Sequence, residues 1–377
     1  MRLYEYQAKW LFAAQGIPTP PGAVATDPEQ AGAAAEQLGV PVALKAQVLA
    51  GKRGKAGGIR FAQDAAGARA AAHDILGATL NGFVVESLLV EQRLDIASEL
   101  YLGITTDRSR RCPVAIFSAS GGVEIEEVAR SEPEKLIVMP IDVAVGFQTY
   151  HAMNLALRGG LGGKLLTAVA DVASRLYDVY WQYDAEVAEI NPLVVTQSGQ
   201  VVAADARMSI DENALPRQKN LPKNAMPGSD LEIAAREQGL TYIPLDGDIC
   251  ILANGAGLTL ATMDLIAAHG GRPANFTEVG GGNYLKARQS LAIALSRPRI
   301  KALFVNVFGA FARADHIADG FTQALVELKP DLPIVACIRG TEEETAWRLV
   351  RERLGIEPYK DMDLAAAAVV ARAYGRG

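Results

Sequence analysis

The stretch DICILANGAGLTLATMDLIAAHGG, Asp248 to Gly271, runs from an apolar segment through a glycine-rich turn into a segment of helical length closed by two glycines. It reads as strand, turn, helix. KALFVNVFGAFARADHIADGFTQAL (Lys301 to Leu325) repeats that grammar, and so does LPIVACIRGTEEETAWRLVRERLG (Leu332 to Gly355). Three such units predict an open parallel sheet with helices on its faces. Ligands of such sheets sit at the carboxyl ends of the strands, here the loops NGAG, VGGGN, FGAFAR and RGTEE. Helix starts at those loops offer free N–H groups and a favourable dipole for a carboxylate or phosphate.

Toward the amino end, residues 212–236 shift to Pro, Asn, Lys and Asp, the composition of a linker. Two domains follow from this: residues 1–235, including the linker, and residues 237–377. Before the linker, AEVAEINPLVVTQSGQVVAADARM reads as two strands joined by a turn at Ser198 and Gly199, with Glu189, Asn191 and Asp205 at their apolar ends. Any one of them reads as a strand-end cap; together they also suit a metal, since carboxylate and amide oxygens are the hard donors Mg²⁺ accepts and a hairpin brings Asn191 and Asp205 toward one ion.

The first domain mixes helices and strands. EYQAKWLFAAQG places Tyr6, Trp10, Leu11 and Phe12 near helical spacing, and Asp27 caps a second helix that ends near Gly39. VPVALKAQVL is a buried strand carrying Lys45, and a lysine there is costly unless it meets an anion or a carboxylate. GKRGKAGG, Gly51 to Gly58, follows at once. It is neither a Walker loop nor a dinucleotide fingerprint. Its glycines permit close backbone approach, while Lys52, Arg53 and Lys55 supply charge, so taken alone it reads as a solvated basic turn or as an anion-binding loop, and the neighbouring Lys45 favours the second. Glu91 ends one apolar strand and Glu99 begins the next, as rim charges or as acceptors for a ribose, a base amine or a cation.

At 377 residues and half hydrophobic, the chain is of the globular class. A net charge of −6 argues against bulk binding of nucleic acid but permits a local basic site. No apolar run is long enough to span a membrane and the amino end lacks a signal-like apolar core, so a cytoplasmic location is expected. Cys112, Cys250 and Cys337 are widely spaced, and none of the four histidines has a metal-ligand neighbour, which argues against a disulfide framework or a zinc site.

The ordered set YEYQAKWLF, LKAQVLAGKRGKAGGI, SELYLGI, AEINPLVV, NGAGLTLATMD, VGGGN and NVFGAFARAD resembles, from end to end, the β subunits of succinyl-CoA synthetase (succinate–CoA ligase). The resemblance implies an α/β protein: an amino-terminal α+β ATP-grasp domain followed by a flavodoxin-like parallel-sheet CoA-ligase domain. It implies that Lys45, Lys52, Arg53 and Gly54 bind nucleotide phosphates, while Glu91, Leu94 and Glu99 hold the nucleoside end. Asn191 and Asp205 would ligate Mg²⁺, and Glu189 would orient a phosphorylated histidine. Asn254 and Gly309, Ala310, Phe311 and Ala312 would meet the acid substrate, with Arg313 nearby. The implied reaction joins a dicarboxylate to CoA at the expense of ATP or GTP, through a phosphohistidine and an acyl phosphate. The histidine and most of the CoA site belong to an α subunit in that family, so an αβ or α2β2 assembly is expected.

Three segments depart from the family pattern. Lys52 stands where a second glycine is usual. Gly309–Ala312 reads Gly-Ala-Phe-Ala in place of Gly-Gly and two branched aliphatics, and Arg339 with Glu342, Glu343 and Glu344 replaces a Glu-Gly-Asn loop. Succinate is the expected acid, with a related dicarboxylate such as malate as the alternative. A noncatalytic, nucleotide-binding regulatory subunit is the remote alternative; retention of Lys45, Arg53, Glu189, Asn191 and Asp205 speaks against it.

Overall fold

Two antiparallel sheets, each covered by its own helices, organise the first part of the computed structural model, which describes residues 1–39, 41–49, 53–54, 56–222, 229–278 and 286–375. The chain separates into two units, Met1–Met226 and Pro227–Gly377. The first runs α1 (Glu5–Ala14), β1 (Gly22–Ala25), α2 (Pro28–Leu38), β2 (Val42–Ala46), β3 (Ile59–Ala62), α3 (Ala65–Ile75), the short pair β4 (Thr79–Leu80) and β5 (Phe83–Val84), then β6 (Leu88–Gln92). It continues through β7 (Ile96–Asp107), β8 (Cys112–Ser118), α4 (Ile125–Ser131), β9 (Ile137–Pro140), α5 (Thr149–Arg158), α6 (Gly163–Gln182), β10 (Ala185–Thr196), β11 (Val201–Ala203) and β12 (Arg207–Ile210).

The smaller sheet has the order β1-β6-β2-β3. Helices α2 and α3 cover it with small side chains, Ala31, Ala34 and Ala35 from one and Ala68 and Ala72 from the other. Both helices start at an aspartate: Asp27 accepts from Gln30 N–H at 2.8 Å and Asp64 from Gly67 N–H at 2.7 Å. The larger sheet has the order β11-β10-β7-β8-β9, with β12 also paired to β10. Leu155 of α5 and Val169, Val172, Ala173 and Leu176 of α6 pack onto it with Leu102, Phe117 and Ile190.

Helix α1 packs on this larger sheet through Ala8 and Phe12. The aromatic spacing foretells the helix but not its inward stripe, Glu5, Ala8, Lys9 and Phe12, with Gln7 buried beside it, while Trp10 is 61 % exposed. Those four positions form the stripe that faces one side of a helix. Two of them are charged, for the reason given below.

The second unit runs α7 (Asp230–Glu237), β13 (Thr241–Pro244), β14 (Ile249–Ala253), α8 (Ala256–Ala268), β15 (Asn275–Glu278), α9 (Ala287–Leu295), β16 (Ala302–Gly309), α10 (Ala314–Leu328), β17 (Ile334–Gly340), α11 (Glu343–Leu354) and α12 (Met362–Tyr374). All but the last residue of helix α7 falls inside the stretch read as linker. Ser229 caps it, its hydroxyl accepting from Glu232 N–H at 3.3 Å while Glu232 accepts from Ser229 N–H at 2.7 Å.

The sheet order is β13-β15-β14-β16-β17, with β15, β14, β16 and β17 parallel and β13 antiparallel on the edge. This is flavodoxin-type winding, and the chain changes direction across the sheet between β14 and β16. Side chains alternate between two apolar layers. Cys250, Leu252, Leu303, Val305 and Ile338 pack against α9, α10 and α11; Ile249, Ile251, Phe304, Val335 and Cys337 pack against α8 and α12. Cys250 and Cys337 are buried core residues, and burial pushes the Cys250 thiol up to about 12.

Candidate functional site

In the first unit, chemistry concentrates where the two sheets meet. Lys45 stands on β2 and Glu91 on β6, next to each other in the smaller sheet, while Glu5 and Lys9 arrive on α1 from the larger one. Arg53 follows β2 in the turn before β3, and Asp205 lies between β11 and β12. The Glu5 carboxylate pairs with Lys9 at 2.9 Å, Lys45 at 3.2 Å and Arg53 at 2.9 Å. Glu91 pairs with Lys9 at 2.6 Å and also with Lys45. Arg53 forks onto Asp205, at 2.9 and 3.2 Å, and donates to Ala46 O at 3.2 Å. Both ammonium groups also donate to Ala204 O, at 2.6 Å each.

Three cations and three carboxylates therefore balance in a seam that is nearly closed to water; Glu5 is 2 % exposed. Isolated charges there would be strongly penalised, and mutual pairing offsets the penalty. Burial opposes ionisation of Glu5, but Lys45, Lys9 and Arg53 together hold its carboxyl well below the usual carboxylate range. Burial also opposes the charge on Lys45, and Glu5, Glu91 and Asp205 reverse that, raising it above the ordinary lysine value. Gly54, the residue after Arg53, turns the loop: Gly57 N–H donates to Gly54 O at 3.2 Å and Gly58 N–H to Arg53 O at 2.9 Å. Gly51, Lys52 and Lys55 lie outside the described residues.

A second group lies on the hairpin of β10 with β11 and β12. Glu189 pairs with Arg207 of β12 and Leu193 with Ala203 of β11, the same antiparallel register on either side of residues 204–206, and Ala204 N–H donates to Pro192 O at 3.1 Å, so positions 191 and 205 lie opposite each other. Asn191 grips the turn after β8, accepting from Gly122 N–H at 2.8 Å and donating to Val123 O at 2.9 Å. That turn also rests on Glu99 at the start of β7, where Gly121 N–H donates to Glu99 O at 2.8 Å. Gly122 has φ of +70°, and a Cβ there would lie 2.1 Å from the Glu99 carboxylate. Leu94, half-buried, sits in the connection between β6 and β7.

Glu189 is mostly covered. Burial raises its pKa, Arg207, whose guanidinium stands 3.3 Å away, opposes the rise, and Asp205 and Glu126 add to it. Among the described residues no group of three or more His, Cys, Asp or Glu side chains is placed to hold a metal ion. The donor set does fit a hard cation that keeps most of its ligands as phosphate and water. Asp205 leaves 32 % of its side chain exposed, and the Asn191 amide oxygen uses one of its two lone pairs on Gly122.

In the second unit the crevice between β14 and β16 is closed by one side chain. Asn254, just past β14, donates to Phe308 O and accepts from Phe308 N–H, both at 2.8 Å. The segment Gly309–Ala312 begins at that anchor, and Thr341 N–H donates to Gly309 O at 2.8 Å from the neighbouring loop. Phe311 is fully exposed. Arg313 pairs with Asp315 at 2.8 Å, and Arg339 with Glu343 at 3.2 Å and with Lys360 O at 3.0 Å. Residues 279–283, the VGGGN loop, lie outside the described residues.

The sequence reading names Lys45, Arg53, Glu91 and Asp205, which the fold brings together, and Glu99 and Asn191, which share the Gly121–Gly122 turn. It misses Glu5, Lys9 and Arg207. An acid and a base four apart on a short helix ordinarily mark a solvated face, so the only available signal for Glu5 and Lys9 is that their stripe includes Phe12.

Residues 2–195 match the ATP-grasp domain family and residues 252–370 the CoA-ligase family. The chain is 43 % identical over 372 residues, 98 % of both chains, to the succinate–CoA ligase [ADP-forming] subunit beta of Ignicoccus hospitalis. It is 41 % identical, over the whole of both chains, to a subunit of the ADP-forming sulfoacetate–CoA ligase of Bilophila wadsworthia. The fold matches that of ATP citrate lyase from Methanothrix soehngenii, with a TM-score of 0.73, 20 % identity and 99 % of both chains covered. The chain belongs to the family of ATP-grasp CoA-ligase β subunits that includes those of ADP-forming succinate–CoA ligase.

Proposed function

We propose that this chain is the β subunit of an ADP-forming succinate–CoA ligase and that it works with an α subunit carrying the phosphorylated histidine and most of the CoA site. The observation that carries this is identity of 41–44 % along nearly the whole chain to β subunits of that ligase. The gathering of Lys45, Arg53 and Asp205 in one seam supports it.

In this reading nucleotide phosphates bind at the seam, where Lys45 and Arg53 supply charge and the turn at Gly54 supplies backbone approach. Leu94 and Glu99 line the nucleoside end, and Glu91 acts through Lys45. Asn191 and Asp205 hold Mg²⁺, which neutralises charge on the phosphate oxygens. Glu189 accepts a hydrogen bond from the partner's histidine and orients the ring that receives the phosphoryl group. A carboxylate oxygen of the acid then takes the phosphoryl, and the CoA thiolate attacks the carbonyl carbon as phosphate leaves. The acid is held at the carboxyl ends of β14 and β16, by the segment Gly309–Ala312 that Asn254 anchors.

A second acid deserves a parallel test, because a relative named for sulfoacetate is 41 % identical over the full chain and Gly309–Ala312 departs from the usual pattern. The chain is co-purified with its α partner and acyl-CoA formation is measured with Mg²⁺, ATP or GTP, CoA, and succinate, malate or sulfoacetate. Preference for succinate with ATP is expected. No acyl-CoA from any of the three acids overturns the assignment.

A further inference from the structure

We infer that Glu5 is a positioning residue of the nucleotide site, a built-in competitor that fixes Lys45 and Arg53 while offsetting their charge, so that nucleotide binds loosely enough to be released. The inference rests on the nucleotide-binding reading of the seam given above. Glu5 is the only carboxylate among the described residues that pairs with all three cations there, at 2.9 Å to Lys9, 3.2 Å to Lys45 and 2.9 Å to Arg53. It is carried by a helix anchored on the larger sheet, and the cations it holds at longest range in sequence belong to the smaller sheet and its loop.

The donors explain why competition follows. Lys45 has three N–H groups and three protein acceptors, Glu5, Glu91 and Ala204 O, so a phosphate oxygen reaches it only by displacing one of them. Arg53, with five N–H donors, is less fully used: it donates to Asp205 and Ala46 O and stands in an ion pair with Glu5 at 2.9 Å, so there the competition is for charge rather than for a donor. Asp205 is released to a metal when one is bound, and Ala204 O is neutral. Glu5 keeps Lys9 as a partner when Lys45 and Arg53 turn to phosphate, but its carboxylate stays beside the phosphates and still opposes them. Lys9 is the counterweight: it touches Glu5, Glu91 and Ala204 O from the far side, and every one of those partners is protein.

The test is direct binding of ADP, with and without Mg²⁺, to the full chain in its αβ complex, by calorimetry at two salt concentrations. Glu5→Gln keeps the shape and removes one negative charge a few ångströms from the phosphates; ADP binding should tighten about tenfold, with a steeper loss in salt. Glu5→Asp should stay within about threefold of the parent. Lys9→Met should weaken ADP by about tenfold, and the double variant, with the charge balance restored, should return toward the parent value. Lys9→Met keeps the question decidable where Glu5→Gln does not fold.

A purely structural role predicts that both single variants weaken binding and that the double variant is worse than either. That result, or unchanged affinity in both single variants, overturns the inference. Failure of the parent complex to bind ADP overturns the nucleotide reading itself and is distinguishable from both.

Discussion

Replacing Asn254 with alanine separates two roles that one amide can play at the carboxyl end of a parallel sheet. In the structure both halves of that amide are spent on the backbone of Phe308, at 2.8 Å each. Losing two neutral hydrogen bonds costs roughly 1–3 kcal/mol, and because Phe308 is exposed, water reaches the freed groups and the lower part of that range, about 1–2 kcal/mol, applies. For a unit of this size the second unit's Tm should fall by roughly 2–8 °C in calorimetry. Gly309–Ala312 hangs from the same anchor, so kcat/KM for the acid should fall about 10–100-fold while the KM for ATP is unchanged. Asn254→Asp is the discriminating partner. It keeps the acceptor for Phe308 N–H, so an anchoring residue predicts an outcome between parent and alanine. A residue whose amide touched the acid's carboxylate directly would instead suffer more from aspartate than from alanine, since a like charge is added. An aspartate variant worse than alanine, with Tm unmoved in both, refutes the anchoring argument.

Asp205→Ala should abolish phosphoryl transfer from ATP to the partner's histidine while circular dichroism stays that of the parent, since Arg53 keeps Glu5; near-normal phosphohistidine by radiolabel transfer counts against the metal assignment. Glu189→Gln should slow phosphohistidine turnover more than it weakens ADP binding, and equal losses would mark the residue as structural. Because burial raises the Glu189 pKa above the unfolded value, the native chain binds more protons between the two values. The Glu189 contribution to stability is therefore largest at low pH and lost as pH rises through the native pKa, and the glutamine variant should flatten that part of a Tm-against-pH profile. Gly340 has φ of +108° and a Cβ there would stand 2.1 Å from Gly309 O, so Gly340→Ala should lower the Tm of the second unit by several degrees and raise the KM for the acid; an unshifted Tm contradicts it.

The second unit was legible because its rules are local. Each strand, turn and helix unit carries its own apolar run and its own glycine, and the number of units with the winding rule limits the topology. The hairpin of Glu189, Asn191 and Asp205 was legible for the same reason: its turn at Ser198 and Gly199 sets the register that puts position 191 opposite 205. Helix α1 was legible as a helix, but not the identity of its inward face, because what faces it comes from elsewhere in the chain. Trp10 looks like a core residue and Glu5 and Lys9 like surface residues until Lys45, Arg53 and Glu91 are brought beside them. Helix α7 was hidden in a polar, proline-containing stretch whose only helical signal is the pairing of Ser229 with Glu232. The double hydrogen bond of Asn254 has no signature, since it depends on where two strands end side by side.

The seam also sets a schedule for synthesis. Lys9 leaves the ribosome early, yet apart from Glu5 its partners lie 82 and 195 residues further along the chain. At translation speeds of 5–20 residues per second, Lys9 emerges roughly 10–40 s before Ala204 exists to accept from it. A helix as short as α1 is marginal in isolation, so through that interval its charges remain in water and its one large apolar contact, Phe12, waits as well. The seam therefore arrives late and all at once, when the last strands of the larger sheet are laid down. A nascent chain that stalls before Ala204 already carries Lys45 and Arg53 but lacks Ala204 O and Asp205, so the seam closes only once the hairpin of β10 with β11 and β12 is made.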